Sequence, residues 1–163
     1  MHQQRAKMRT VSNQQAAIED IIQADHPTDK KALPAHLRQQ LFEQLPQAYN
    51  LHPKRIGYTT TIPTDLETFS QLQAKQLTEE ELIQQALAEN RDFRTSEGIY
   101  LQNVFIHPLH QTNGEATTLA KKTIKQLNHT RVKPIYTQTN SLAGYQLINK
   151  LAKELDNPIY NAS

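Results

Sequence analysis

The chain has 163 residues, enough to bury one hydrophobic core without disulfides or a structural metal and too few for two ordinary domains. It contains no cysteine, which excludes disulfide frameworks, thiol nucleophiles and thiolate metal sites and agrees with a reducing, cytoplasmic compartment. Its 18 Lys and Arg against 16 Asp and Glu leave a formal charge of +2, too weak and too evenly interspersed to mark a nucleic-acid binder.

No apolar run approaches the roughly 18 residues of a membrane span, and the basic start, Met1 to Lys7, has no apolar segment behind it, so neither a membrane nor secretion is expected. Residues 1–8 read as a polar tail and Met8 to Val11 as a short strand. Ser12 with Gln15 forms a capping box for a helix whose apolar face is Ala17, Ile18, Ile21 and Ile22. Pro34 opens a second helix with Leu37, Leu41 and Leu45 in register, and Pro46 ends it. Gln47 to Leu51, a turn at His52-Pro53-Lys54 and Arg55 to Ile62 make a hairpin, with Ile56, Tyr58, Thr60 and Ile62 on one face. Residues 63–97 are the least regular part; the capping box of Thr78 and Glu81 ahead of Leu82, Ile83, Ala86 and Leu87 predicts one inserted helix.

Ile99 to His107 is apolar without a run of charges, as expected for a strand in the middle of a sheet. Ala116, Leu119, Ala120, Thr123, Ile124 and Leu127 then fall at helical spacing. Between the two lies Gln111-Thr112-Asn113-Gly114-Glu115-Ala116, one of only four glycine positions in the chain. A turn without large apolar side chains at a helix start lets several backbone N–H groups converge on an anion, helped by the helix dipole. Val132 to Thr137 reads as a strand that Pro134 confines to an edge or bulge, and a last helix from Ser141 carries Leu147, Ile148, Leu151, Ala152 and Leu155.

The strand, loop, helix, strand and helix of residues 99–155 resemble the acetyl-coenzyme A binding half of the GNAT superfamily of N-acetyltransferases. That family's signature, Gln or Arg, two residues, Gly, one residue, Gly or Ala, is filled by Gln111, Gly114 and Ala116, with Val104-Phe105-Ile106-His107-Pro108 before it. The resemblance implies a single α/β (α+β) domain over residues 1–163 with a mixed, mainly antiparallel central sheet, flanking helices and splayed central strands. It also implies that the backbone of Gln111, Thr112, Asn113, Gly114, Glu115, Ala116 and Thr117 grips the coenzyme pyrophosphate, that main-chain groups of Val104 and Ile106 hold the pantetheine arm, and that Asn140 contacts it. Lys121, Lys122 and Lys125 are read chiefly as a solvated helix face, with the coenzyme's remaining phosphate as their alternative. The implied activity moves an acetyl group from acetyl-coenzyme A to an amine of a small molecule or peptide, with no metal.

Amide formation needs a base to free the amine and an acid to protonate the leaving thiolate. The positions where family members carry a Glu or His base are Tyr100 and Gln102 here, and the usual acid, a tyrosine on the last helix, is Ile148. Tyr100 is thus the candidate base, and Tyr145, one turn back from Ile148, the candidate acid. His107, His110 and Glu97 are further titratable neighbours, each also explained as an ordinary polar loop or turn residue. Asp156 to Ser163 provide one short strand at most in place of the family's closing hairpin, which predicts an open acceptor site or one completed by a second subunit in a homodimer. A coenzyme-binding module without turnover is the alternative to the enzyme.

Overall fold

A computed structural model describes the backbone of residues 2–25, 27–129 and 131–162, and the side chains of residues 13–25, 27–111, 114–129 and 131–162. The elements are α1 (His2–Ala24), α2 (Ala35–Gln44), β1 (Tyr49–Leu51), β2 (Gly57–Thr64), α3 (Leu66–Gln73), α4 (Glu79–Ala88), β3 (Gly98–Ile106), α5 (Glu115–Leu127), β4 (Ile135–Thr137), α6 (Leu142–Glu154) and β5 (Ile159–Asn161). The five strands form one sheet in chain order. β1, β2 and β3 pair antiparallel, whereas β3, β4 and β5 pair parallel. The antiparallel part is the longer, because β2 and β3 match over eight positions and each parallel pair over three. The fold is therefore α+β with a mixed sheet and flanking helices. No helix among the described residues is long and apolar enough to cross a membrane.

Several expected boundaries move. The strand at Met8 to Val11 is absent and the Ser12 cap is not used, because α1 runs unbroken from His2 and buries Ile18 and Ile22. β2 continues through Pro63 to Thr64; β1 reaches only as far as Thr60, so the proline removes no donor from that ladder. Residues 63–97 hold two helices rather than one. Asp65 caps α3 by accepting the Thr68 N–H at 2.8 Å, and Phe69 stacks on Tyr136 with ring centroids 4.7 Å apart. The capping box of α4 forms as expected, with Thr78 and Glu81 bonded in both directions at 3.1 and 3.2 Å. β4 begins only at Ile135, after Pro134, whose carbonyl accepts the Ile99 N–H at 3.0 Å. Ala152, assigned to the apolar face of the last helix, is exposed, and only Leu151 of α6 is fully buried.

Strand alternation sorts the sheet into two faces. Tyr58, Thr60, Ile62, Tyr100, Tyr136 and their register partners face α2, α3 and α4, while Thr59 faces α5, its hydroxyl 3.1 Å from that of Thr123. Phe42, Tyr49, Tyr58 and Phe105 form an aromatic row with centroids 4.6, 5.9 and 6.0 Å apart. Each such pair contributes about 0.5–1.5 kcal/mol beyond burial of its area.

Two irregularities shape the middle of the sheet. Between Thr60 and Thr61 of β2, β3 carries one extra residue, Gln102. This bulge turns Gln102 and Asn103, although adjacent, toward the same segment: Gln102 Nε2 donates to the Lys31 carbonyl at 2.8 Å and Asn103 Nδ2 to Asp29 Oδ1 at 3.0 Å. The second irregularity is a fork. β4 accompanies β3 only from Ile99 to Leu101, and residues 102–106 of β3 continue with no strand on that side. β4 leaves because β5 holds its continuation: Asn161 accepts the Thr139 N–H at 2.9 Å and donates to its carbonyl at 3.2 Å, and the Ala162 N–H reaches the Thr137 carbonyl at 2.9 Å.

Candidate functional site at the strand fork

β3 runs from the fork into the glycine loop. After Ile106 the chain forms a tight 3-10 turn, Pro108–Asn113, instead of an open loop, and enters α5 through Gly114 at φ 69° and ψ 13°. That left-handed conformation is what the glycine supplies; a Cβ placed there would meet nothing within 4 Å, so close approach is not its reason. Among the described residues no side chain caps α5, which leaves its first-turn N–H groups, Glu115 to Thr117, to an anion. The Gln111 side chain does not reach outward: its Nε2 donates back to the Ile106 carbonyl at 3.0 Å, occupying one of that oxygen's two acceptor positions. Thr112 and Asn113 contribute backbone only, because their side chains lie outside the described residues.

Glu115 anchors this loop to the β1–β2 hairpin. His52, only 5% exposed, accepts the Lys54 N–H on Nδ1 at 3.0 Å, so its Nε2 carries the hydrogen given to Glu115 at 2.7 Å. That bond, aided by Lys54 Nζ at 3.7 Å, holds the Glu115 carboxyl below the usual range. An anion arriving at the helix start thus meets a carboxylate already bonded to His52 and lying 3.7 Å from the Lys54 ammonium.

On the other side of the fork, the sites expected to hold a base meet a carboxylate that was not foreseen. The Tyr100 hydroxyl donates to Glu79 Oε2 at 2.6 Å and Gln102 Nε2 to Glu79 Oε1 at 3.2 Å. Burial, reinforced by the Glu79 charge, pushes the Tyr100 phenol well above its ordinary value, the direction opposite to the one a base needs. Gln102 is 2% exposed, and its Oε1 has no partner among the described residues. Lys31, an exposed residue, closes the fork from above by donating from Nζ to the Gln138 carbonyl just past β4. Partial burial there lowers its ammonium against the opposing pull of Glu79. No signal local to the sequence marks Glu79; in a run of three glutamates it reads as a first-turn acid on the helix dipole.

No family model matches the chain, and no curated protein or solved structure matches it either. Function is therefore to be read from these residues and their geometry.

The remaining expected residues are dispersed. Tyr145 is 39% exposed on α6, and Asn140 is exposed in the link between β4 and α6. Val104 is half-buried and lies on the β3 stretch beyond its last pairing with β4. His107 is taken up locally, accepting the Leu109 N–H at 3.2 Å and lying 3.5 Å from Asp25, and Glu97 lies in the turn before β3. Lys121 lies 3.5 Å from Glu154, while Lys122 lines an open groove of about 460 Å³ with His52, Arg55 and Thr123. The groove is on the α5 face, away from Tyr100, Gln102 and Glu79, and is too open to define a reaction site. No group of three His, Asp or Glu among the described residues is placed to hold a metal.

Proposed function

We propose that this protein is an acyl-coenzyme A-dependent N-acyltransferase of GNAT-like build, moving an acetyl group from acetyl-coenzyme A to a primary amine by direct attack in a ternary complex in the cytoplasm. The observation that carries the proposal is the fork. An extended thioester arm needs a strand edge to lie along, and among the described residues β3 offers residues 102–106 with no strand on the β4 side, leading straight into the start of α5.

Acetyl-coenzyme A fits these residues as co-substrate. The N–H groups of Glu115, Ala116 and Thr117 would face the pyrophosphate, Gly114 sets their direction through its positive φ, and Val104 borders the arm. The coenzyme supplies an activated acyl carbon. In the transfer the amine nitrogen forms the new C–N bond, the C–S bond breaks, the nitrogen loses one proton and the thiolate gains one. Holding both substrates in line supplies much of the rate, about 7 kcal/mol in favourable cases.

A coenzyme-binding module without turnover is the second reading. It is favoured by Tyr100, whose hydroxyl is committed to Glu79, and by Ile148, half-buried where an acid is wanted.

Thermal denaturation with acetyl-coenzyme A tests the first step. Ligand at one hundred times its Kd should stabilise the wild type by about 2.7 kcal/mol. Gly114→Val, which cannot hold the left-handed conformation, should lose that response, and Gly114→Asn, which tolerates it, should keep it. Thiol release with a panel of primary amines then separates enzyme from module. No stabilisation of the wild type overturns both.

A further inference from the structure

Gln102 Oε1 is the observation that goes further. Its amide orientation is fixed, because Nε2 donates to two acceptors, the Lys31 carbonyl and Glu79 Oε1, and the flipped amide would set oxygen against oxygen at both. The oxygen left over is buried without a partner among the described residues, and an unmet buried acceptor is destabilising. Beside it lies the Glu79 carboxylate, half-buried at the first residue of α4, at the positive end of the helix dipole. The local surplus is of acceptors and of negative charge, so the missing partner is a cationic donor with more than one N–H. The Lys31 ammonium feels the Glu79 charge, but the one hydrogen bond it makes among the described residues goes to the Gln138 carbonyl and none reaches Oε1.

We propose that Glu79 and Gln102 Oε1 form the acceptor subsite, taking the ammonium of a primary amine between them at the mouth of the fork. This rests on the transferase function proposed above and names its acceptor end. Glu79 is the residue that holds the charge; Tyr100 is a positioning residue, fixing the carboxylate through Oε2. The subsite selects amines that enter protonated over neutral alcohols of the same shape, because an alcohol leaves the carboxylate without its countercharge. Gln102 is the first residue of β3 past the last β4 pairing, so an amine bound there lies next to the edge offered to the thioester.

The test is NMR of the full chain labelled with 15N, titrated with n-butylammonium chloride, with n-butanol and, separately, with acetyl-coenzyme A. Butylammonium should shift the Gln102 side-chain amide saturably and butanol should not. Glu79→Gln should weaken the butylammonium response at least tenfold while the Gly114 and Ala116 amides still respond to acetyl-coenzyme A. Gln102→Leu, followed through the Tyr100 and Leu101 amides, should weaken it as well. A wild type that answers acetyl-coenzyme A but not butylammonium, or a Glu79→Gln variant that binds the amine as well as the wild type, overturns the subsite and leaves the coenzyme proposal standing. Saturation by butylammonium with no response to acetyl-coenzyme A overturns the transferase, and the acceptor role with it.

Discussion

The same face of the sheet carries one chemical arrangement twice. In the first, Tyr58 donates to Asp29 Oδ2 and Asn103 to Asp29 Oδ1; in the second, Tyr100 donates to Glu79 Oε2 and Gln102 to Glu79 Oε1. Each is a tyrosine and an amide closing on the two oxygens of one carboxylate. All three side chains of the first are buried and its amide also reaches the Tyr58 hydroxyl at 3.2 Å, so the trio is closed on itself. In the second the carboxylate is half-buried and the amide oxygen is orphaned. A closed trio fastens the 25–33 segment to the sheet, whereas an open one, set where two strands part, is equipped to take something in.

The sharpest separation of the two should come from removing each carboxylate. Asp29→Ala strands two buried donors, at about 1–3 kcal/mol each, and should lower the urea-derived unfolding free energy by about 3 kcal/mol or more. Glu79→Ala exposes the equivalent donors to water and should cost about 1 kcal/mol. Equal losses would show that the second trio is also a fastening. Next come the hydroxyls: Tyr58→Phe withdraws a bond from a buried carboxylate and should cost about 2 kcal/mol, Tyr100→Phe about 1 kcal/mol, read from the same denaturation curves. The smallest change in stability is expected for Gln102→Leu, within about 1 kcal/mol of wild type, because the lost donor bonds are offset by relief of the orphaned oxygen. A large loss there would mean that water or another group already satisfies Oε1.

Much of this architecture is legible where the pattern is long and local. Leu119, Ala120, Thr123, Ile124 and Leu127 announce α5, the uncharged run of Ile99 to His107 announces β3, and Thr78 with Glu81 starts α4. α3 is not legible: its apolar positions Leu66, Phe69 and Leu72 span barely two turns, and Pro63 just before them suggests a break where the strand in fact continues. At the site, the αL entry at Gly114 follows from the one glycine before a helical pattern. The Glu79 contact does not, because it joins an N-terminal turn to a strand 21 residues on, and the bulge that turns Gln102 and Asn103 the same way has no local residue signature. What the sequence does not announce at Tyr100 is that its hydroxyl is given to a carboxylate from another element.

Asn161 gives the fork a different meaning. A single amide at the end of the outermost strand, by bracketing Thr139, performs the office of two ladder bonds beyond the point where the ladder stops. The course of the chain just past β4 is consequently held from two strands away from β3, by a residue that touches neither loop nor carboxylate. Loosening that one rim amide would free the end of β4 while leaving Tyr100, Gln102 and Glu79 untouched.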